Sequence, residues 1–270
     1  MATATKTKPQ VPPHVSKNSQ VAVRQENPVD VARPSFIKEG RRGAENVGTA
    51  DLVIPRLEIV QSLSPARKKG DEAYIDGAEE GMLYNNVTRE LYGSDVTVVP
   101  VFFNKEWLIW KDRKKGGGFR GAFPNKTDAE HAIRSLKDKD GKPEPAEDFT
   151  ALDTAQHFCL LLRPGQRPQQ IVISMSKSKM KVSRKWNSLI ALSGDDSFAR
   201  KYVVEGVQDT NANGDDYYNL KVTAAGFVDE ATYIEAEKQY LFLKAGNAKV
   251  DHNYETDGGD EAGSSDSKEF

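Results

Sequence analysis

Residues 104–123, NKEWLIWKDRKKGGGFRGAF, interleave four rings with six cations. The rings are Trp107, Trp110, Phe119 and Phe123, and the cations are Lys105, Lys111, Arg113, Lys114, Lys115 and Arg120. Only Glu106 and Asp112 oppose them. Aromatic faces beside cations suit one chemistry in particular. Unpaired nucleobases stack on the rings, at roughly 1–3 kcal/mol per base, while phosphates meet the lysines and arginines. On a strand, Trp107 and Ile109 face one way and Leu108 and Trp110 the other, which predicts one tryptophan in the core and one exposed. Glycines 116–118 would let the following loop close over a nucleic-acid strand of variable sequence. The alternative is that both tryptophans are core and the cations form a solvated hairpin tip.

A second stretch, residues 174–187 (SMSKSKMKVSRKWN), holds five cations, Lys177, Lys179, Lys181, Arg184 and Lys185, and no acid. A helix over 177–192 places Val182, Trp186, Leu189 and Ile190 on one face and Lys177, Lys181, Arg184 and Ser188 on the other. Surface helices often carry a lysine face, so this stretch alone says little. Two such stretches in a chain whose net charge is only −2 point to a groove for a polyanion.

Catalytic patterns fail on their context. Residues 116–121 (GGGFRG) match GxGxxG, but Ala-Phe-Pro follows where a helix is required. Gly141-Lys142 is followed by Pro143, so it is no phosphate-binding loop, and the histidines at 14, 131, 157 and 252 are scattered. With one cysteine and no HxxxH or HExxH, a zinc site is not expected. Asp95 with Asp112-Arg113-Lys114 follows the Asp…(Asp/Glu)-x-Lys pattern of one nuclease superfamily, a pattern that mobile surface residues also produce. The expectation is a non-enzymatic protein without cofactor or metal.

The elements that must position these residues follow from local pattern. Strands are predicted over 95–103 (DVTVVPVFF), 106–111 (EWLIWK), 156–163 (QHFCLLLR), 170–175 (QIVISM), 201–208 and 216–224, each rich in β-branched, aliphatic or aromatic residues. Residues 112–150 read as an insertion with a short helix around 127–137. A last helix is predicted over 230–244, capped by Asp229 and stopped by Gly246. The order of strands, helix, two strands and helix predicts an α+β fold of the OB type, a Greek-key barrel with one or two packed helices, over residues 48–250. No apolar run reaches the roughly 20 residues of a membrane span. The N-terminus has no hydrophobic signal core, so a cytoplasmic protein is expected. The single Cys159 lies in the run HFCLLL and reads as core.

Charge is segregated toward the ends. Residues 1–47 carry eight bases and four acids and read as a disordered arm, while residues 251–270 carry seven acids and one base, Lys268. So little apolar surface cannot offset the entropy of ordering. The final residue, Phe270, is unexpected in such a tail. A ring with its carboxylate can fill a partner's pocket while the acids steer it there.

Taken together, these features resemble a phage-type single-stranded DNA-binding protein. The tail is similar to those of bacterial single-stranded DNA-binding proteins and of the T7-type phage protein, which are acidic and close on Phe. The matching residues are Asp260, Glu261, Asp266, Glu269 and Phe270, and Lys268 departs from the more uniform acidity of those tails. IPRLEIVQSLSP (54–65) and WLIWKDRKKGGGF (107–119) resemble segments of phage replication-region proteins. The resemblance implies an OB barrel that binds single-stranded DNA in the infected bacterial cell, and a tail that recruits DNA polymerase, helicase-primase or repair enzymes. Competing classes are a phage structural or adaptor protein with a charged tail and a strand-annealing recombination factor. A homodimer is compatible with either.

Overall fold

The computed structural model describes Gly43, residues 53–211 and residues 213–246. The acidic tail and, Gly43 apart, the N-terminal arm lie outside the described residues. The fold is α+β, with nine strands and three helices among the described residues. Strands β1 (Leu57–Ile59), β2 (Leu83–Asn85) and β3 (Leu91–Gly93) form a small antiparallel sheet. The large antiparallel sheet contains β4 (Asp95–Lys111), β5 (Phe119–Phe123), β6 (Phe149–Leu162), β7 (Gln169–Ser176), β8 (Arg200–Thr210) and β9 (Asp216–Phe227). Its order is β7-β6-β4-β8-β9, with β5 paired to the far end of β4. The helices are α1 (Lys126–Ser135), α2 (Met180–Ser193) and α3 (Glu230–Lys244).

The two runs expected over 95–103 and 106–111 are one 17-residue strand. Asn104 and Lys105 continue the ladder against Gln156 and Ala155 instead of breaking it. A register shift between Pro100 and Phe102 lets a proline sit in the middle of this strand, because a bulge relieves the ladder of the N–H that proline lacks. The expected insertion contributes β5 and α1, which extend and cover the far ends of β4 and β6.

Strand alternation puts different residues on the two faces of the large sheet. On one face, Val96, Val98, Ala155, Cys159, Leu161, Ile171, Ile173, Met175, Tyr202, Val204, Leu220 and Val222 pack with Met180 and Trp186 of α2 and with Leu57, Ile59 and Leu83 of the small sheet. On the other, Val99, Val101, Phe158, Leu160 and Val172 pack with Ala236 and Leu243 of α3. Gly206 in β8 permits the small sheet to come this close. A Cβ there would lie 2.1 Å from the Gly81 carbonyl oxygen. The Asp229 side chain accepts from the Thr232 N–H at the start of α3, as its position before the helix predicts.

Among the described residues the expected barrel is not closed. Its closure requires a ladder between the two edge strands at a fixed stagger. Among the described residues none joins β7 to β9. Each edge is instead met by the chain around β1. The Val172 N–H donates to the Pro55 carbonyl at 2.8 Å. The Gln61 side chain engages both backbone groups of Tyr218, Oε1 accepting from its N–H at 2.9 Å and Nε2 donating to its carbonyl at 2.6 Å. Helix α2, which follows β7 after a single 3-10 turn and packs against β9, stands where a closing ladder would run.

Candidate nucleic-acid interface

Strand β6 brings the two cationic stretches together. In one rung of the ladder Glu106 pairs with Thr154, and Thr154 with Ser176. The next residues along pair Lys105 with Ala155 and Ala155 with Met175. The first stretch and the start of the second thus flank one strand, about two strand spacings or roughly 10 Å apart. Their separation along the chain gives no hint of this.

On the α2 face of the sheet, β4 presents Phe103, Lys105 and Trp107 in a row, since alternate residues share a face. Phe103 is 41% exposed. Its ring lies 5.0 Å from that of His157, which stacks on Trp186 at 4.5 Å with 14° between planes, and Trp186 meets Tyr202 edge-on at 5.7 Å. Phe103 is therefore the accessible end of a chain of rings rooted in the core. Sequence reasoning missed it because it closes an apolar run and reads as core. The signal that could have found it is its position two residues before Lys105 and four before Trp107 on one strand face.

His157 is buried, with Nε2 2.8 Å from the Ser183 hydroxyl. Burial pushes its pKa down to about 3. An unfolded chain takes up a proton near the usual 6.5 that the folded chain refuses, so the fold is fully stable above about pH 6.5 and loses stability as pH falls toward 3. The expected slope is about 1.4 kcal/mol per pH unit, or roughly 2 kcal/mol lost between pH 7 and 5. Urea denaturation at both values should show this loss in the wild type. The loss should shrink by that amount in His157→Gln, whatever that variant's stability at pH 7. An equal loss in both would assign the dependence to other groups.

The two tryptophans of the first stretch do not divide into one core and one exposed. Trp107 is half-buried beside Ile109, Ala129, Ile133 and Phe149 beneath α1, with the Lys126 ammonium 6.0 Å from its ring centre. Trp110 is 9% exposed and lies against Phe119 at 5.6 Å. Helix α1 covers one face of this end of β4, and Phe119 of β5 packs against the ring on the other. Phe119 and Phe123 are both half-buried.

Carboxylates engage several of the first stretch's cations. Lys105 pairs with Asp153 at 3.0 Å, Lys115 with Asp148 at 3.5 Å, and Lys111 with Glu144. Arg113, Lys114 and Arg120 are exposed at the hairpin tip. Gly116, Gly117 and Gly118 all have positive φ, and the Gly117 N–H donates back to the Asp112 carbonyl, so the triplet builds the hairpin turn itself. On the second stretch Lys177, Lys181, Arg184 and Lys185 are exposed while Met180, Ser183 and Trp186 are buried. This is the division that the helical pattern predicts. Lys181 lies near Asp209, whose carboxyl is held below its usual range chiefly by hydrogen bonds from Asn219 and Tyr217 and more weakly by this lysine. Asp95 and Asp112 stand at opposite ends of β4, roughly 50 Å apart for an extended strand of this length, so they cannot share a metal ion. Asp260, Glu261, Asp266, Glu269 and Phe270 lie outside the described residues.

The model of the Pam3 phage gp34-like protein family matches residues 24–249, which takes in every element described above. The chain belongs to the Pam3 phage gp34-like family. The phage setting expected from the sequence is thus shown, and the family description carries no activity with it. No curated protein and no solved structure matches the chain. Among its described helices, this member of the gp34-like family has none long and apolar enough to cross a membrane.

Proposed function

We propose that this gp34-like protein binds single-stranded DNA, without catalysis, across the α2 face of the large sheet. Phe103 offers the stacking surface, extended by the open side of Trp107. Lys177, Lys181, Arg184 and Lys185 from one side and Lys114 and Arg120 from the other hold phosphates. The observation that carries this reading is the register of β6, which sets both cationic stretches beside an exposed ring. Stacking tolerates any base, so binding is sequence-tolerant, and a nearly neutral chain must rely on this local clustering. The acids of residues 251–270 compete with DNA for the same cations and engage replication proteins once displaced. Seven acids against one base in these residues support that competition.

The test is a salt-titrated binding assay with single-stranded DNA, double-stranded DNA and RNA. Phe103→Ala should weaken single-strand binding by about 1–3 kcal/mol, roughly 5- to 150-fold. Reversing Lys181 and Arg184 to Glu should weaken binding to all sequences alike, and each lost phosphate contact should take about 0.7 from the log–log salt slope. A folded Phe103→Ala protein with unchanged affinity, together with an unchanged slope after the reversals, would place the interface elsewhere. Wild type that ignores DNA and forms large assemblies would favour a structural role in the virion.

A further inference from the structure

Helix α3 is apolar on two sides. Its inner side, with Thr232, Ala236 and Leu243 buried, packs on the sheet. Its outer side carries Ile234 and Leu241, 43% and 59% exposed, in line with exposed Ala231, Lys238 and Ala245. The spacing along 231, 234, 238, 241 and 245 alternates three and four, which is the heptad seam by which one helix packs along another. Phe242, 39% exposed, borders this seam.

We infer that the outer seam of α3 binds the same seam of a second copy, with the two helices antiparallel about Lys238. The seam is self-complementary in this direction. Reversal about Lys238 sets Ala231 against Ala245 of the other copy and Ile234 against the Leu241–Phe242 step, so small residues meet small ones at both ends and large apolar side chains meet in between. Charge agrees with that choice. Glu230 and Glu237 lie on one flank of the seam toward its start, and Lys244 lies on the same flank at its end. An antiparallel pair brings each Glu230 to the other copy's Lys244, a contact that an in-register parallel pair does not make. The two Lys238 side chains meet at the dyad with Glu237 beside them. A polar residue at one seam position selects register at some expense of affinity. The contact is isologous, so it closes at two copies.

A 15-residue helix is about 22 Å long, so the buried area falls at the low end for specific association and the dimer is a weak one, in the micromolar range. Sedimentation equilibrium of the full chain from about 1 to 300 µM should show a monomer–dimer transition. Ile234→Glu with Leu241→Glu alters only exposed side chains, so circular dichroism should be unchanged while the dissociation constant rises at least tenfold. Lys238→Cys should cross-link into a disulfide dimer under mild oxidation, because the dyad places the two thiols together, and Glu230→Cys should not. Cys159 is buried and does not interfere. A monomer throughout the concentration range, a dimer that survives the double substitution, or cross-linking at 230 but not at 238 would each overturn the proposal. The inference is independent of DNA binding, and all measurements are made without nucleic acid.

Discussion

Trp186→Ala should destabilise the fold by about 3–5 kcal/mol, the range for removing a large ring from a packed core. Trp186 is fully buried, stacked on His157 and edge-on to Tyr202. It also pins α2 to the sheet, so its loss leaves a void under the helix that carries Lys181, Arg184 and Lys185. The indole N–H is buried without a hydrogen-bond partner. Trp186→Phe removes that unsatisfied donor along with part of the ring, and the two effects oppose each other. It should therefore cost less than half as much as the alanine. Urea denaturation followed by far-ultraviolet circular dichroism measures both, provided that the denaturant slope is unchanged. An alanine variant within about 1 kcal/mol of wild type would mean that α2 is not held by this ring.

Glu90→Ala should cost a similar amount, about 3–5 kcal/mol, for an electrostatic reason. Glu90 follows β2 and pairs with Arg163 just past the end of β6, and both side chains are largely buried. The Arg163 guanidinium lies 5.6 Å from the Tyr92 ring, and its Nε and Nη2 have no hydrogen-bond partner. Without Glu90 a buried positive charge keeps only the ring. Removing one partner of such a pair is far costlier than removing both. The double variant Glu90→Leu/Arg163→Met should therefore recover most of the loss. A double-variant cycle by urea denaturation reads this directly. Additive losses from the two single changes would show that the pair contributes nothing as a pair. The small sheet hangs on this bond as well as on the Gln61–Tyr218 link, so hydrogen exchange in β2 and β3 should quicken first in Glu90→Ala.

Much of the fold was legible locally. The lysine face of α2, the start and capping of α3, the second half of β6 and the strands β7 to β9 follow from periods of 3.6 and 2.0 and from Asp229 at a helix start. Cys159 is buried where its apolar run predicts, and burial keeps its thiol protonated. The break expected near Asn104 does not exist, because an edge-to-edge ladder with β6 overrides the weak strand preference of two polar residues. Closure of the barrel was not legible. Element order is shared by closed and open sheets, and closure depends on register between strands far apart in sequence.

The candidate site shows the same divide. The sequence by itself determined which stretches are cationic, which residues alternate across β4, and which side of α2 faces water, because each is a property of neighbouring residues. It could not say which ring along β4 is exposed. Alternation places Phe103, Lys105, Trp107 and Ile109 on one face but says nothing about what covers that face. Helix α1 covers it at Trp107 and Ile109, and α2 covers it at His157, so Phe103 is left between them. Only tertiary structure decided that. The same holds for charge: whether Lys105, Lys111 and Lys115 meet a ligand or a carboxylate depends on Asp153, Glu144 and Asp148, which the β4–β6 register carries to them from more than 30 residues away. Local pattern assigns a side chain to a face, and long-range pairing alone decides whether that face meets solvent or protein.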